Sequence, residues 1–235
     1  AGPLMSQLTG LSTARRPFSV SFTIIGYPRQ IDQRVIAVEQ AIEQVRQLAR
    51  LHPRCVVWRY DPILLTDITP TDWHETSFKT ISDRLRGVCD EVTTSFATFY
   101  QKTERNLKQQ LATEKIGWRD PPVDEKRQIL HRLADIASGN GQRLTICSQP
   151  ELTSPDIAPA SCIDADRLSE IAGQELKGRT KGNRPGCLCA ESRDIGAYDS
   201  CPHGCAYCYA KRSRPAALEN WRRHDPAAPL LIPAR

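Results

Sequence analysis

The chain of 235 residues has no run of eighteen apolar residues, so no membrane-spanning helix is predicted. Its opening, Ala1-Gly2-Pro3-Leu4-Met5, lacks the basic stretch and apolar core of a secretory leader, which points to a cytoplasmic protein with no membrane partner. No internal repeat or low-complexity tract is present, so nothing suggests a repeat architecture. Without an export signal, nine cysteines argue against a disulfide framework and for metal ligands or reactive thiols. Excess charge is also scarce until late in the chain. From residue 177 to 235, eleven Lys and Arg face five Asp and Glu, a net of +6 against +5 for the whole. A basic tail can bind nucleic acid or other phosphates. It can equally offset the negative charge of a thiolate-ligated centre.

Apolar, β-rich runs alternate with helical patterns along the first 176 residues. Strands are predicted over 19–26, 55–65, 91–99 and 143–147, with Pro62 ending or kinking the second. Between and after them, spacings of three and four predict helices over 32–51, 73–89, 102–111, 123–138 and 165–175. Strand then helix, repeated four times, means parallel pairing and an α/β fold. That leaves an open doubly wound sheet or part of a (β/α) barrel of the TIM type, with functional residues at the carboxyl ends of the strands. The expected organisation is a partial barrel over residues 1–176. A basic, cysteine-rich segment over 177–235 packs on it, with one short helix at 216–223.

The segment Cys201-Pro202-His203-Gly204-Cys205-Ala206-Tyr207-Cys208 packs three cysteines at C-x3-C-x2-C spacing. Such a loop can turn three thiolates onto one face of a 4Fe–4S cubane and leave the fourth iron open to a ligand. Zinc modules more often repeat C-x2-C or pair it with His, so the spacing favours iron–sulfur, with zinc as the alternative. Tyr198 and Tyr209 flank the loop as candidate shields, and His203 lies between ligands.

A second set is less compact. Cys187 and Cys189 form C-x-C, Cys147 ends the fourth strand and Cys162 follows in the next loop. Together they could ligate a second metal, an auxiliary cluster or a zinc. Alternatively Cys187 or Cys189 closes the first cluster, or Cys147 and Cys162 are simply small buried residues. Along the second strand, Arg59 and Asp61 share a face opposite Trp58 and Tyr60. If the aromatic face meets the helices, Arg59 can clamp a substrate carboxylate or phosphate, oriented by Asp61. The bland reading is an ion pair filling the interior. Ser95 and Thr145 are candidate neighbours there.

The segments VWRYDPI (57–63), YQKTERNL (100–107), CLC (187–189) and SRDIGAYDSCPHGCAYCYA (192–210) together resemble an uncharacterised bacterial domain-of-unknown-function family with a C-terminal cysteine cluster, over residues 3–231. The CPHGCAYCYA piece alone is similar to the cluster loop of radical S-adenosylmethionine proteins such as spore photoproduct lyase-like ones. That resemblance implies S-adenosylmethionine on the open iron, Tyr207 near its adenine, a reductant such as flavodoxin or ferredoxin, and an unknown substrate held near Arg59 and Asp61. Two departures stand out. Radical S-adenosylmethionine enzymes carry the loop after their first strand, whereas here it comes last, and no Gly-Gly-Glu-type segment for the ligand's amine is visible. Family members also begin with a further strand–helix–strand, so the chain is expected to lack N-terminal strands and to leave a sheet edge exposed. A non-catalytic zinc or closed iron–sulfur module binding nucleic acid or a protein partner is the alternative.

Overall fold

In the computed structural model, which describes residues 4–232, five strands form one sheet: β1 (Val20–Thr23), β2 (Val56–Ile63), β4 (Glu91–Phe96), β6 (Arg143–Ile146) and β7 (Ala158–Pro159). They pair in that order, each pairing parallel. β3 (Leu65–Thr66) and β5 (Trp118–Arg119) make a separate antiparallel pair. The helices are α1 (Met5–Thr13), α2 (Val38–Ala49), α3 (Thr71–Arg84), α4 (Gln101–Leu111), α5 (Val123–Gly139), α6 (Ala165–Ala172) and α7 (Arg214–Arg223).

Neighbouring strands in the sheet are neighbours in the chain. Right-handed crossovers then lay the connecting helices on one face, and α2 packs on α3 and α3 on α5. The fold is thus mixed α/β. The sheet is open, with β1 and β7 as its edges among the described residues, and no closed barrel forms.

The two faces of β2 divide as its alternation predicts. Val56, Trp58 and Tyr60 are fully buried on the helical side. The Trp58 ring lies 4.8 Å from Phe78 of α3, and its indole N–H donates to the Ile24 carbonyl at 2.9 Å. Arg59 and Asp61 occupy the opposite face.

Of the two outcomes expected of Pro62, β2 shows the local distortion and not the ending: it runs on to Ile63 with a register shift against β4 between Tyr60 and Ile63. One expectation needs correction. The helix expected from residue 32 starts only at Val38. Residues 31–34 give their backbone groups to the tail instead: Asp32 bridges Cys205, Ile31 C=O accepts from Ala206 N–H, and Arg34 N–H donates to His203 C=O. Apolar spacing continued through this stretch, but a tertiary partner took its hydrogen bonds. The fifth strand, β7, was not predicted because its two residues include a proline. α1, also unpredicted, buries none of its residues.

Candidate functional site

The three-cysteine loop docks above the carboxyl end of the sheet, between the segment after β1 and α4, the helix after β4. Besides the contacts to residues 31–34, Asn106 of α4 donates to the Cys208 carbonyl at 2.8 Å, and Lys211 Nζ donates to the Cys205 carbonyl at 2.7 Å. Tyr207 packs against Tyr27, ring centroids 5.8 Å apart, and its hydroxyl reaches Asp32 at 3.3 Å. Gly204 sits at φ +79°, where a Cβ would stand 3.2 Å from Gln33 Oε1, so the turn between the first two cysteines favours glycine. The sulfurs of Cys201, Cys205 and Cys208 are free of disulfides, with His203 beside Cys201 and Asp32 and Tyr207 beside Cys205.

Lys211 is only 7 % exposed and feels the charge of all three sulfurs. Burial lowers its pKa, while Cys208 and Cys205 support the ammonium. His203 holds the Cys201 thiol below its ordinary value, whereas burial pushes Cys205 and Cys208 up. Beside the loop, Gln33 Oε1 and Arg214 Nε are buried and without hydrogen-bond partners among the described residues. A cavity of about 180 Å³ lined by Gly26, Tyr27, Arg29 and Asp32 opens along the segment after β1. It is smaller than the ~300 Å³ at which small-molecule sites begin, so a ligand there would also lie along the loop.

The second cysteine set also assembles. Cys147, just past β6, and Cys162, past β7, stand 3.7 Å apart sulfur to sulfur. The C-x-C pair joins them rather than the first loop: Ile163 N–H donates to Cys189 Sγ at 3.4 Å, and Ala190 N–H donates to the Ile163 carbonyl at 2.9 Å. Cys187 lies within electrostatic reach of Cys147, and Cys189 of Cys162. Arg184 donates to Cys147 Sγ at 3.3 Å and Arg59 to Cys162 Sγ at 3.4 Å. Accepting from the Cys162 thiol, then from Ser148 and Arg184, the Cys147 thiol is pulled down to about 5. Cys55 and Cys89 lie elsewhere in the core, and burial pushes Cys89 up to about 12.

Arg59 and Asp61 do share the inner face, as an ion pair. Both carboxylate oxygens are taken, one by Arg59 and the other by the Ser95 hydroxyl. Thr145 meets Thr93 at 3.0 Å lower on the same face. Tyr209, more than half exposed, feels the charges of Arg184, Cys208 and Asp61, so it lies between the two cysteine sets. Tyr198 sits under the Lys102 ammonium, 5.2 Å from its ring centroid.

Among the described residues, no three His, Cys, Asp or Glu side chains converge tightly enough to hold one ion. A cubane asks for less convergence, because each thiolate binds a different iron. The sequence missed Lys211, Gln33 and Arg214, which carry no motif signal. Their parts depend on where a loop that begins at Cys201, far along the chain from β1 at Val20–Thr23, comes to rest.

The family described as Domain of unknown function (DUF1848) matches residues 1–210 of the chain. No curated protein and no solved structure matches it.

Proposed function

The chain belongs to the DUF1848 family, a membership that carries no activity with it, and from its cysteine chemistry we propose an iron–sulfur protein of radical S-adenosylmethionine type. Cys201, Cys205 and Cys208 hold a 4Fe–4S cluster. The observation that carries this reading is where the remaining cysteines go. Cys189 is engaged with Ile163 and Cys162, and Cys187 with Cys189, Asn183 and the charge of Cys147, all away from the loop. The loop therefore has three thiolates and no fourth, which leaves one iron open.

Further features support it. Sequential, all-parallel strand order is that of part of a (β/α) barrel, whose sites gather at the carboxyl ends of strands. The loop, though last in sequence, lies against the segment after β1, at the carboxyl end of that strand. Gln33 Oε1 and Arg214 Nε, a buried acceptor and a buried donor, suit the amine and carboxylate of an amino-acid ligand. Held by Cys201, Cys205 and Cys208, a reduced cluster would supply the electron for reductive cleavage of S-adenosylmethionine and so hydrogen abstraction from a substrate. The chain's own residues position and shield. Tyr207 packs at the ligand's edge, Lys211 offsets cluster charge, and the Arg59–Asp61 pair anchors a polar substrate on the inner face. A flavodoxin- or ferredoxin-like reductant is implied.

The tail's cations fit local compensation better than nucleic-acid binding. Arg179 and Lys181 pair with Glu191, Arg212 with Asp199, and Lys211 is buried among sulfurs.

The test is iron and acid-labile sulfide per chain on protein prepared without oxygen, then S-adenosylmethionine cleavage after reduction by dithionite. About four of each per chain, lost in Cys205→Ala, is expected. Arg214→Ala should keep the iron and lose cleavage. Zinc without sulfide at Cys201, Cys205 and Cys208 sinks the proposal.

A further inference from the structure

We infer that Cys147, Cys162, Cys187 and Cys189 form a second, separate metal site, a tetrahedral tetrathiolate that takes a single zinc ion. The inference does not depend on the function of the first loop.

Distance decides between the candidate metals. Zn–S bonds of ~2.3 Å at the tetrahedral angle put neighbouring sulfurs ~3.8 Å apart. Cys147 and Cys162 already stand at 3.7 Å, one edge of that tetrahedron. A cubane places each thiolate on its own iron, so its cysteine sulfurs stand farther apart than that.

The C-x-C pair is held where it can supply the opposite edge. Ser161 Oγ donates to the Leu188 carbonyl at 3.1 Å and Ala190 N–H to Ile163 C=O at 2.9 Å, which fixes residues 188–190 alongside Cys162. The backbone turns back at once before the pair. A Cβ at Gly182 would fall 2.1 Å from the Cys187 carbonyl oxygen, so glycine there permits the close approach. As they stand the two halves are adjacent and do not converge on one point. Metal binding would turn Cys187 and Cys189 onto the existing edge.

The surroundings are those of thiolates. Arg59, Arg184 and Ile163 N–H each donate to a sulfur, at 3.4, 3.3 and 3.4 Å. Such outer donors orient and stabilise sulfur ligands. Four thiolates on a dication leave a net charge of −2, which Arg184 and Arg59 offset in part, Arg59 being shared with Asp61. Cys187 is partly exposed, which gives the ion a way in.

Its place in the fold gives the site a purpose. The four ligands come from the ends of β6 and β7 and from the tail. A zinc there would tie the cysteine-rich segment to the sheet edge and hold the three-cysteine loop over β1 and α4.

The test uses the full chain with Cys201, Cys205 and Cys208 all changed to Ala, prepared without oxygen and freed of metal with a chelator. Co(II) is then titrated in and displaced with Zn(II). About one equivalent of Co(II), with the visible bands of tetrahedral thiolate coordination and displacement by zinc, is expected. Adding Cys162→Ala should abolish the bands, whereas adding Cys187→His should retain zinc as a Cys3His set. Circular dichroism checks that each variant folds. The inference is overturned by a metal-free chain under these conditions, by zinc that survives Cys162→Ala, by a Cys147–Cys162 disulfide in the anaerobic protein, or by iron and sulfide that depart with Cys162.

Discussion

His74 shows how one buried residue sets a pH limit on the fold. It is fully buried, its Nε2 3.1 Å from the Leu64 carbonyl and its Nδ1 3.0 Å from the Tyr60 hydroxyl. The neutral ring satisfies both, donating from Nε2 and accepting at Nδ1. Burial lowers its pKa to about 4, so the unfolded chain takes up this proton first as pH falls. The His74 contribution to stability should therefore be constant above pH ~6.5 and decline between ~6.5 and ~4, by up to about 3 kcal/mol. His74→Gln should be less stable at pH 7 and show a flatter decline across that window. Urea melts at pH 5 and pH 7 measure both, and an unchanged slope would remove His74 as the cause.

Among the elements, α6 is held by charge more than by apolar contact. Arg167, 2 % exposed, donates to both oxygens of Asp90 at 2.9 and 3.1 Å, to Glu91 at 2.7 Å and to the Arg54 carbonyl at 3.0 Å. Asp164 caps the helix by accepting from the N–H groups of Asp166 and Arg167. Glu91 is itself buried at the start of β4, so removing Arg167 leaves a core carboxylate with only the Thr145 hydroxyl and the exposed Arg143. Arg167→Ala should cost about 3 kcal/mol. Arg143, the other cationic partner of Glu91, is largely exposed, and Arg143→Ala should cost less than ~1 kcal/mol. Chemical denaturation of the two variants compares them directly, and equal losses would contradict the assignment.

For the whole molecule, the tail is part of the fold and not an appendage. It gives Ala206 N–H to Ile31, takes Arg34 N–H at His203, and is held by Asn106 from α4. An empty three-cysteine loop should loosen these contacts without reaching the strands beneath. In Cys205→Ala, amide hydrogen exchange should rise by tenfold or more at Ala206 and Arg34, while the amides of β4 and α5 keep wild-type protection. Faster exchange throughout would mean that the loop supports global stability instead.

The alternation of β-rich and amphipathic stretches was enough to predict a parallel α/β sheet, because side-chain period and strand–helix order are local properties. The C-x3-C-x2-C loop was likewise readable as one group of thiols, since spacing within one loop needs no tertiary partner. Arg59 and Asp61 could be put on one face by alternation alone. That Ser95 and Arg59 already occupy both Asp61 oxygens could not be read from it. Nor could the sequence say whether Cys187 and Cys189 join Cys147 and Cys162 or the three-cysteine loop. Cys147, Cys162 and the C-x-C pair come from three separate segments, and only the crossover path and the turn at Gly182 bring them together. The late start of α2 has the same origin: residues 31–34 keep helical spacing, but the tail, some 170 residues away, takes their hydrogen bonds. Local pattern determined the elements; long-range pairing decided which thiols face one another and what surrounds them.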